Sequence, residues 1–169
     1  MCRKLQFDAF LRAFALSKTQ SFGFLFGAGC SVSSGVPAAS RCIWDWKRML
    51  YISNNPTNTS ISIDSESDKK EIQRWCNLQP GYPKQGDPSE YVFYVEEAMP
   101  QEDIRRNYFE SLFEGKSPSV GYCLLPLLHQ KGVLKSVWTT NFDRLTVTSF
   151  TQANQLVHEV AIDDKERIF

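Results

Sequence analysis

Residues 22–37 read Phe-Gly-Phe-Leu-Phe-Gly-Ala-Gly-Cys-Ser-Val-Ser-Ser-Gly-Val-Pro, an apolar run passing directly into a turn rich in glycine and serine. The apolar part, 22–26, suits a strand buried on both faces, as in a parallel sheet flanked by helices. The turn suits an anion. Without Cβ atoms, Gly27 and Gly29 can take positive φ and let backbone N–H groups come close to a phosphate, and small Ala28 leaves room for a pyrophosphate. Ser31, Ser33 and Ser34 offer hydroxyls to the next helix or to phosphate and ribose oxygens. Gly35-Val36-Pro37 then turns the chain away. Spacing excludes two commoner loops: Val32 stands where a dinucleotide fingerprint has its third glycine, and no lysine follows Gly35 as a P-loop requires. A tight strand-to-helix turn whose glycines serve packing alone has the same composition, so the loop by itself leaves both readings open.

The rest of the composition narrows the class. A chain of 169 residues with 42% hydrophobic and 13% aromatic content can bury a core and is not a disordered segment. Its 19 basic and 19 acidic residues cancel, so no long-range field draws it to nucleic acid or to an anionic membrane. A bound anion must be held locally. The five cysteines, at 2, 30, 42, 76 and 123, form no Cys-x-x-Cys pair, so no zinc module is expected. Free thiols of this kind point to a reducing, cytoplasmic setting. No apolar run approaches the roughly 20 residues that span a bilayer, and no signal-peptide core is present.

Outward from the glycine turn, Phe7, Phe10, Leu11 and Phe14 fall at helical spacing, predicting a helix over 4–18 packed by one aromatic stripe. Residues 40–51, with Trp44 and Trp46, suit the helix after the loop. Ser53 to Lys70 is nearly devoid of large apolar residues and reads as an excursion or mobile loop. A second loop, 77–90, carries Pro80, Pro83 and Pro88. Aromatic-rich helical stretches at 91–95 and 104–113, separated by Pro100, form a small inserted module. Ser117-Pro118 opens a further helix that turns Val120, Leu124, Leu127 and Leu128 inward, with a kink at Pro126. His129, near its end, reads as a surface or dipole-paired residue and not as a catalyst. Val133 to Trp138 is the next strand.

Thr139-Thr140-Asn141-Phe142-Asp143 follows that strand directly. In an open α/β sheet, ligands lie beyond the carboxyl ends of the strands, which puts this turn on the same rim as the glycine loop. Asn141 can hold a water or a ribose hydroxyl without adding charge, Asp143 can accept from an amide such as a carboxamide, and the threonines add hydroxyls. A helix N-terminus capped by Thr140 or Asn141, with Asp143 against the dipole, is the ordinary alternative.

Together, Gly-Ala-Gly-Cys-Ser-Val-Ser-Ser-Gly-Val-Pro, then Ser-Pro-Ser-Val-Gly-Tyr with a leucine-rich helix, then Val-Trp-Thr-Thr-Asn-Phe-Asp-Arg-Leu resemble the sirtuin-like (SIR2-like) domain. The resemblance is to its bacterial anti-phage NAD-hydrolase branch more than to the protein deacylases. It implies a Rossmann-like doubly wound parallel sheet, about 1–52 and 117–169, with a small helical module inserted at about 53–116. It also implies NAD as substrate, cleaved to nicotinamide and ADP-ribose. By that resemblance Asn141 and His158 are the catalytic candidates. Gly27, Ala28, Gly29, Ser31, Ser34, Gly35, Pro37, Thr140 and Asp143 are the candidates for holding NAD. The implied partners are further copies of the chain, in a homo-oligomer, and a sensor domain or partner protein triggered by phage.

Departures separate the chain from deacylases. Pro37 is followed by Ala38-Ala39-Ser40 where deacylases carry Pro-Asp-Phe-Arg, and the four-cysteine zinc module is missing. His158 precedes Glu159 in Gln155–Val160, which reads as a strand and not as a Leu-His-Gly setting. In the NAD-hydrolase branch the histidine tends to lie farther along. Phe169 comes without a helix stop, polar tail or closing strand, so the sequence is expected to be the N-terminal part of a longer protein. A module that binds NAD or ADP-ribose without cleaving it is the rival reading, and an NAD-dependent deacylase a weaker third.

Overall fold

Two strands, β1 (Phe22–Phe26) and β2 (Leu134–Thr139), pair in parallel with Phe26 opposite Thr139, so their carboxyl ends finish side by side. The computed structural model describes residues 4, 6–16 and 21–160. Among these, eight helices accompany the strands: α1 (Phe7–Leu16), α2 (Ala39–Asn54), α3 (Glu66–Leu78), α4 (Glu90–Ala98), α5 (Glu102–Phe113), α6 (Val120–Cys123), α7 (Leu125–Gln130) and α8 (Leu145–Gln152). The chain is therefore mixed α and β, with a two-stranded parallel sheet among the described residues where a doubly wound one was expected. None of these helices is long and apolar enough to cross a membrane. The last stretch before Phe169, residues 161–169, where no closing strand was expected, lies outside the described residues.

The chain divides into two units, one running to Ser34 and resuming at Ser117, the other spanning Gly35–Lys116. In the first, the α1 stripe is half used. Phe14 lies 5.0 Å from Phe22 and 6.4 Å from Phe24, and Phe10 lies 6.4 Å from Phe22, while Phe7 and Leu11 stay exposed. Gly23 earns its place by room: a Cβ there would sit 3.0 Å from the Ser136 hydroxyl of its strand partner. Burial of β1 on both faces does not hold, because Leu25 and its partner Trp138 are 77% and 67% exposed.

The single helix expected from Ser117 is two. Pro126 has no N–H for the Tyr122 carbonyl, so α6 stops at Cys123, Leu124 joins the two helices, and Pro126 falls into the first turn of α7. The break rotates the inward face: Tyr122, Leu125 and Pro126 are buried, while Val120, Leu124 and Leu127 are exposed. His129 Nδ1–H donates to the Leu134 carbonyl at 3.1 Å and its ring meets Phe150 of α8. The strand expected over 155–160 is not formed; the segment carries no regular structure.

In the second unit α2 packs on α3 and α4. Trp46, fully buried, stands among Tyr91, Tyr108 and Phe109 at 5.0, 6.0 and 6.2 Å. The supposed excursion is anchored by buried Ile61 and Ile63 and gives way to α3 at Glu66. Ser65 caps that helix by accepting from the Asp68 N–H, and Asp68 in turn accepts from the Ser62 N–H at 2.8 Å. Lys47 is buried with its ammonium 2.5 Å from Glu90 and 2.8 Å from the Gln73 carbonyl oxygen.

Candidate functional site

The rim is built where both strands stop. Beyond β1 the chain enters a 3-10 turn, Ala28–Ser34; beyond β2, Thr140 N–H still donates to the Phe26 carbonyl at 3.2 Å, so the two exits remain zipped together. Asn141 comes next. Its backbone N–H is held by the Thr139 hydroxyl at 3.0 Å. Its side-chain Nδ2 donates to the Gly27 carbonyl at 3.1 Å and to Ser31 Oγ at 3.0 Å. Gly27 O can only accept, so the amide must present nitrogen to it, and Oδ1 is turned the other way.

The glycines of the loop do not use the positive φ open to them. Gly27 and Gly29 lie outside the left-handed region, which Gly35 enters instead at φ +82°. A Cβ at Gly27 or Gly29 would also meet nothing within 4 Å. Neither backbone strain nor internal packing therefore calls for glycine at these positions. What their lack of side chains provides is open surface above an exposed Gly27-Ala28-Gly29 stretch, with the first N–H groups of a 3-10 turn unclaimed by its own ladder.

Ser31 is 0% exposed and engaged by three partners: Asn141, Tyr122 and Asp143. Buried and saturated, it braces the rim and does not present its hydroxyl to a ligand. Asp143 accepts from the Ser31 hydroxyl through Oδ2 and from the Leu145 N–H at 3.0 Å through Oδ1, fastening the turn to the start of α8. A carboxylate has further lone pairs, so both engagements leave it able to accept again. Ser34 Oγ accepts from the Ser119 N–H at 3.0 Å, an internal tie that explains that serine without a ligand. Thr140 is exposed at the rim, and Phe142, 79% exposed, projects between Asn141 and Asp143. Arg144 adopts φ +51°, a left-handed conformation uncommon outside glycine, and pairs with Glu159 at 2.6 Å.

Gly27, Ala28, Gly29, Ser31, Ser34, Thr140, Asn141 and Asp143 thus all belong to the first unit, and hydrogen bonds join Gly27, Ser31, Asn141 and Asp143 directly. Gly35 and Pro37 belong to the second unit. His158 is exposed, in the irregular segment after α8. Tyr122 was missed as a site residue because its helix read as a leucine face. The tyrosine in Ser-Pro-Ser-Val-Gly-Tyr, the one polar-tipped side chain on the buried side of that helix, was the available signal. Among the described residues no cluster of three His, Cys, Asp or Glu could hold a metal ion. A cleft of about 520 Å³ lies in the second unit, lined by Trp44 and the Lys69, Lys70, Gln73, Arg74 face of α3, and contains none of the motif residues.

Compared with protein-family models and with curated proteins, the chain matches none.

Proposed function

We propose that this chain is the NAD-binding part of an NAD hydrolase of the SIR2-like kind, cleaving NAD to nicotinamide and ADP-ribose. The observation that carries the reading is the bond from Asn141 Nδ2 to the Gly27 carbonyl: it holds the polar turn against the glycine loop, beside open surface at Gly27 and Gly29. The same reading takes β1 and β2 as part of a Rossmann-like doubly wound sheet. It also takes the protein as a cytoplasmic, homo-oligomeric effector governed by a phage-triggered sensor.

Cleavage breaks the bond from nicotinamide nitrogen to the ribose anomeric carbon. The electron pair leaves with nicotinamide, positive charge spreads over the sugar, and water adds while losing a proton. For such a reaction the protein chiefly positions its substrate. The exposed loop takes the pyrophosphate on backbone N–H groups. Asn141 Oδ1 accepts from a ribose hydroxyl or the attacking water. Asp143, with lone pairs to spare, accepts from the carboxamide of nicotinamide, and Thr140 adds a hydroxyl at the rim. His158 is the candidate general base.

The exposure of His158 in an irregular segment favours a second reading, a module that binds NAD or ADP-ribose and gates a partner without hydrolysis. Both are separated by following nicotinamide and ADP-ribose release from NAD by the intact protein. Hydrolysis that falls by about 100-fold in Asn141→Ala, in a variant that still unfolds in one cooperative transition, supports the enzyme. Parental turnover in that variant overturns the role given to Asn141, and tight binding without turnover selects the sensor.

A further inference from the structure

Hydrogen counting fixes the direction of every bond at Ser31. Its hydroxyl has one hydrogen and two lone pairs. The Asp143 carboxylate only accepts, so the single Ser31 hydrogen goes to Asp143 Oδ2. Asn141 Nδ2 only donates, so it takes one lone pair at 3.0 Å. Tyr122, whose phenol oxygen lies 2.9 Å from Ser31 Oγ, must then donate into the other. The tyrosine ring is fixed independently, edge-on to Phe26 at 5.7 Å and 89°. Tyr122 and Ser31 are both buried, 3% and 0% exposed, so neither reaches a ligand at the rim itself.

We infer that Tyr122 is a positioning residue for Asn141, acting through Ser31. With Tyr122 donating, the Ser31 hydrogen cannot swing away from Asp143, and the Ser31 oxygen stays aimed at the Asn141 amide. Asp143 anchors the chain of bonds at the Leu145 N–H. The result is a single orientation of the Asn141 side chain, Nδ2 inward and Oδ1 toward the open surface. Burial, the largest influence on the Tyr122 phenol, raises its pKa; the Ser31 bond opposes it, the Asp143 charge pushes the same way as burial, and a smaller side-chain interaction with Asn141 itself opposes, so the donor proton is retained through the neutral range. The catalytic consequence rests on the NAD-hydrolase reading; the orientation itself does not.

The experiment has two arms. In the kinetic arm, Tyr122→Phe keeps the ring and removes the donor. It is expected to lower kcat for NAD about tenfold with KM changed less than twofold, and Tyr122→Phe combined with Ser31→Ala should be no slower than Ser31→Ala alone. In the spectroscopic arm, the Asn141 side-chain amide is assigned in a proton–nitrogen spectrum by its loss in Asn141→Asp. Tyr122→Phe should shift that signal and speed its hydrogen exchange, whereas Tyr91→Phe should leave it unmoved. An Asn141 signal unchanged in Tyr122→Phe overturns the inference, as do additive losses in the double variant. If the parent protein cleaves no NAD, the hydrolase reading falls while the amide signal still decides the inference.

Discussion

The Asn141 side chain and the Gly27 carbonyl, 114 positions apart in sequence, meet at 3.1 Å across the ends of two parallel strands. The contact follows from register: with Phe26 opposite Thr139, the first residue beyond β1 and the second beyond β2 share one rim. A turn bound this way moves with the loop, which keeps the two at a fixed distance.

Asp143 is the fastening of that turn. Replacing it with alanine removes the acceptor for both Ser31 and the Leu145 N–H, and should lower unfolding free energy by about 2 kcal/mol in denaturant titration. Asp143→Asn keeps one carbonyl oxygen and should lose about half as much.

In the second unit, Lys47 lies buried between Glu90 and Gln73, with Glu90 also accepting from the Gly86 N–H at 2.7 Å. Lys47→Met leaves a buried carboxylate without its cation and should cost about 3–5 kcal/mol in equilibrium unfolding. Lys47→Met combined with Glu90→Leu should recover most of that loss, because the pair together gains little over apolar packing.

Burial raises the pKa of Tyr94 and of Tyr108 far above the ordinary tyrosine value of 10.0, with the nearby thiols of Cys76 and Cys42 adding to it. The unfolded chain releases these protons near pH 10 while the folded unit keeps them. Their stabilising contribution is therefore complete below about pH 10 and is lost as pH rises beyond it. Melting temperature should fall steeply above that pH, and less steeply in Tyr94→Phe.

Where local chemistry set the outcome, the sequence was readable. α2, α4, α5 and both strands follow their apolar patterns, and Thr-Thr-Asn-Phe-Asp lies at the end of β2 as its position after an apolar run implied. α3 was missed because its Ser65 cap sits inside a serine- and asparagine-rich stretch. The capping pattern Ser65-Glu66-Ser67-Asp68 was the better guide there than mean hydropathy. The inward face of α6 and α7 was misread because Pro126 resets the helical phase, which periodicity over 120–130 assumes unbroken. At the site, the loop and turn were legible, but the roles of the serines were not: Ser31 and Ser34 are consumed by Tyr122, Asp143 and Ser119, partners fixed only by folding.

The central claim is that Gly27 and Gly29 are glycine for a ligand and not for the fold. Calorimetric titration of NAD into the intact protein and into Gly27→Ala/Gly29→Ala, with melting temperatures measured alongside, tests it most directly. Open space at both Cβ positions and φ outside the left-handed region predict an unfolding free energy unchanged or raised by about 0.5 kcal/mol per site, a melting temperature no lower than the parent's, and NAD binding lost. Undiminished NAD binding by the double variant, or no binding by the parent protein, would contradict the account.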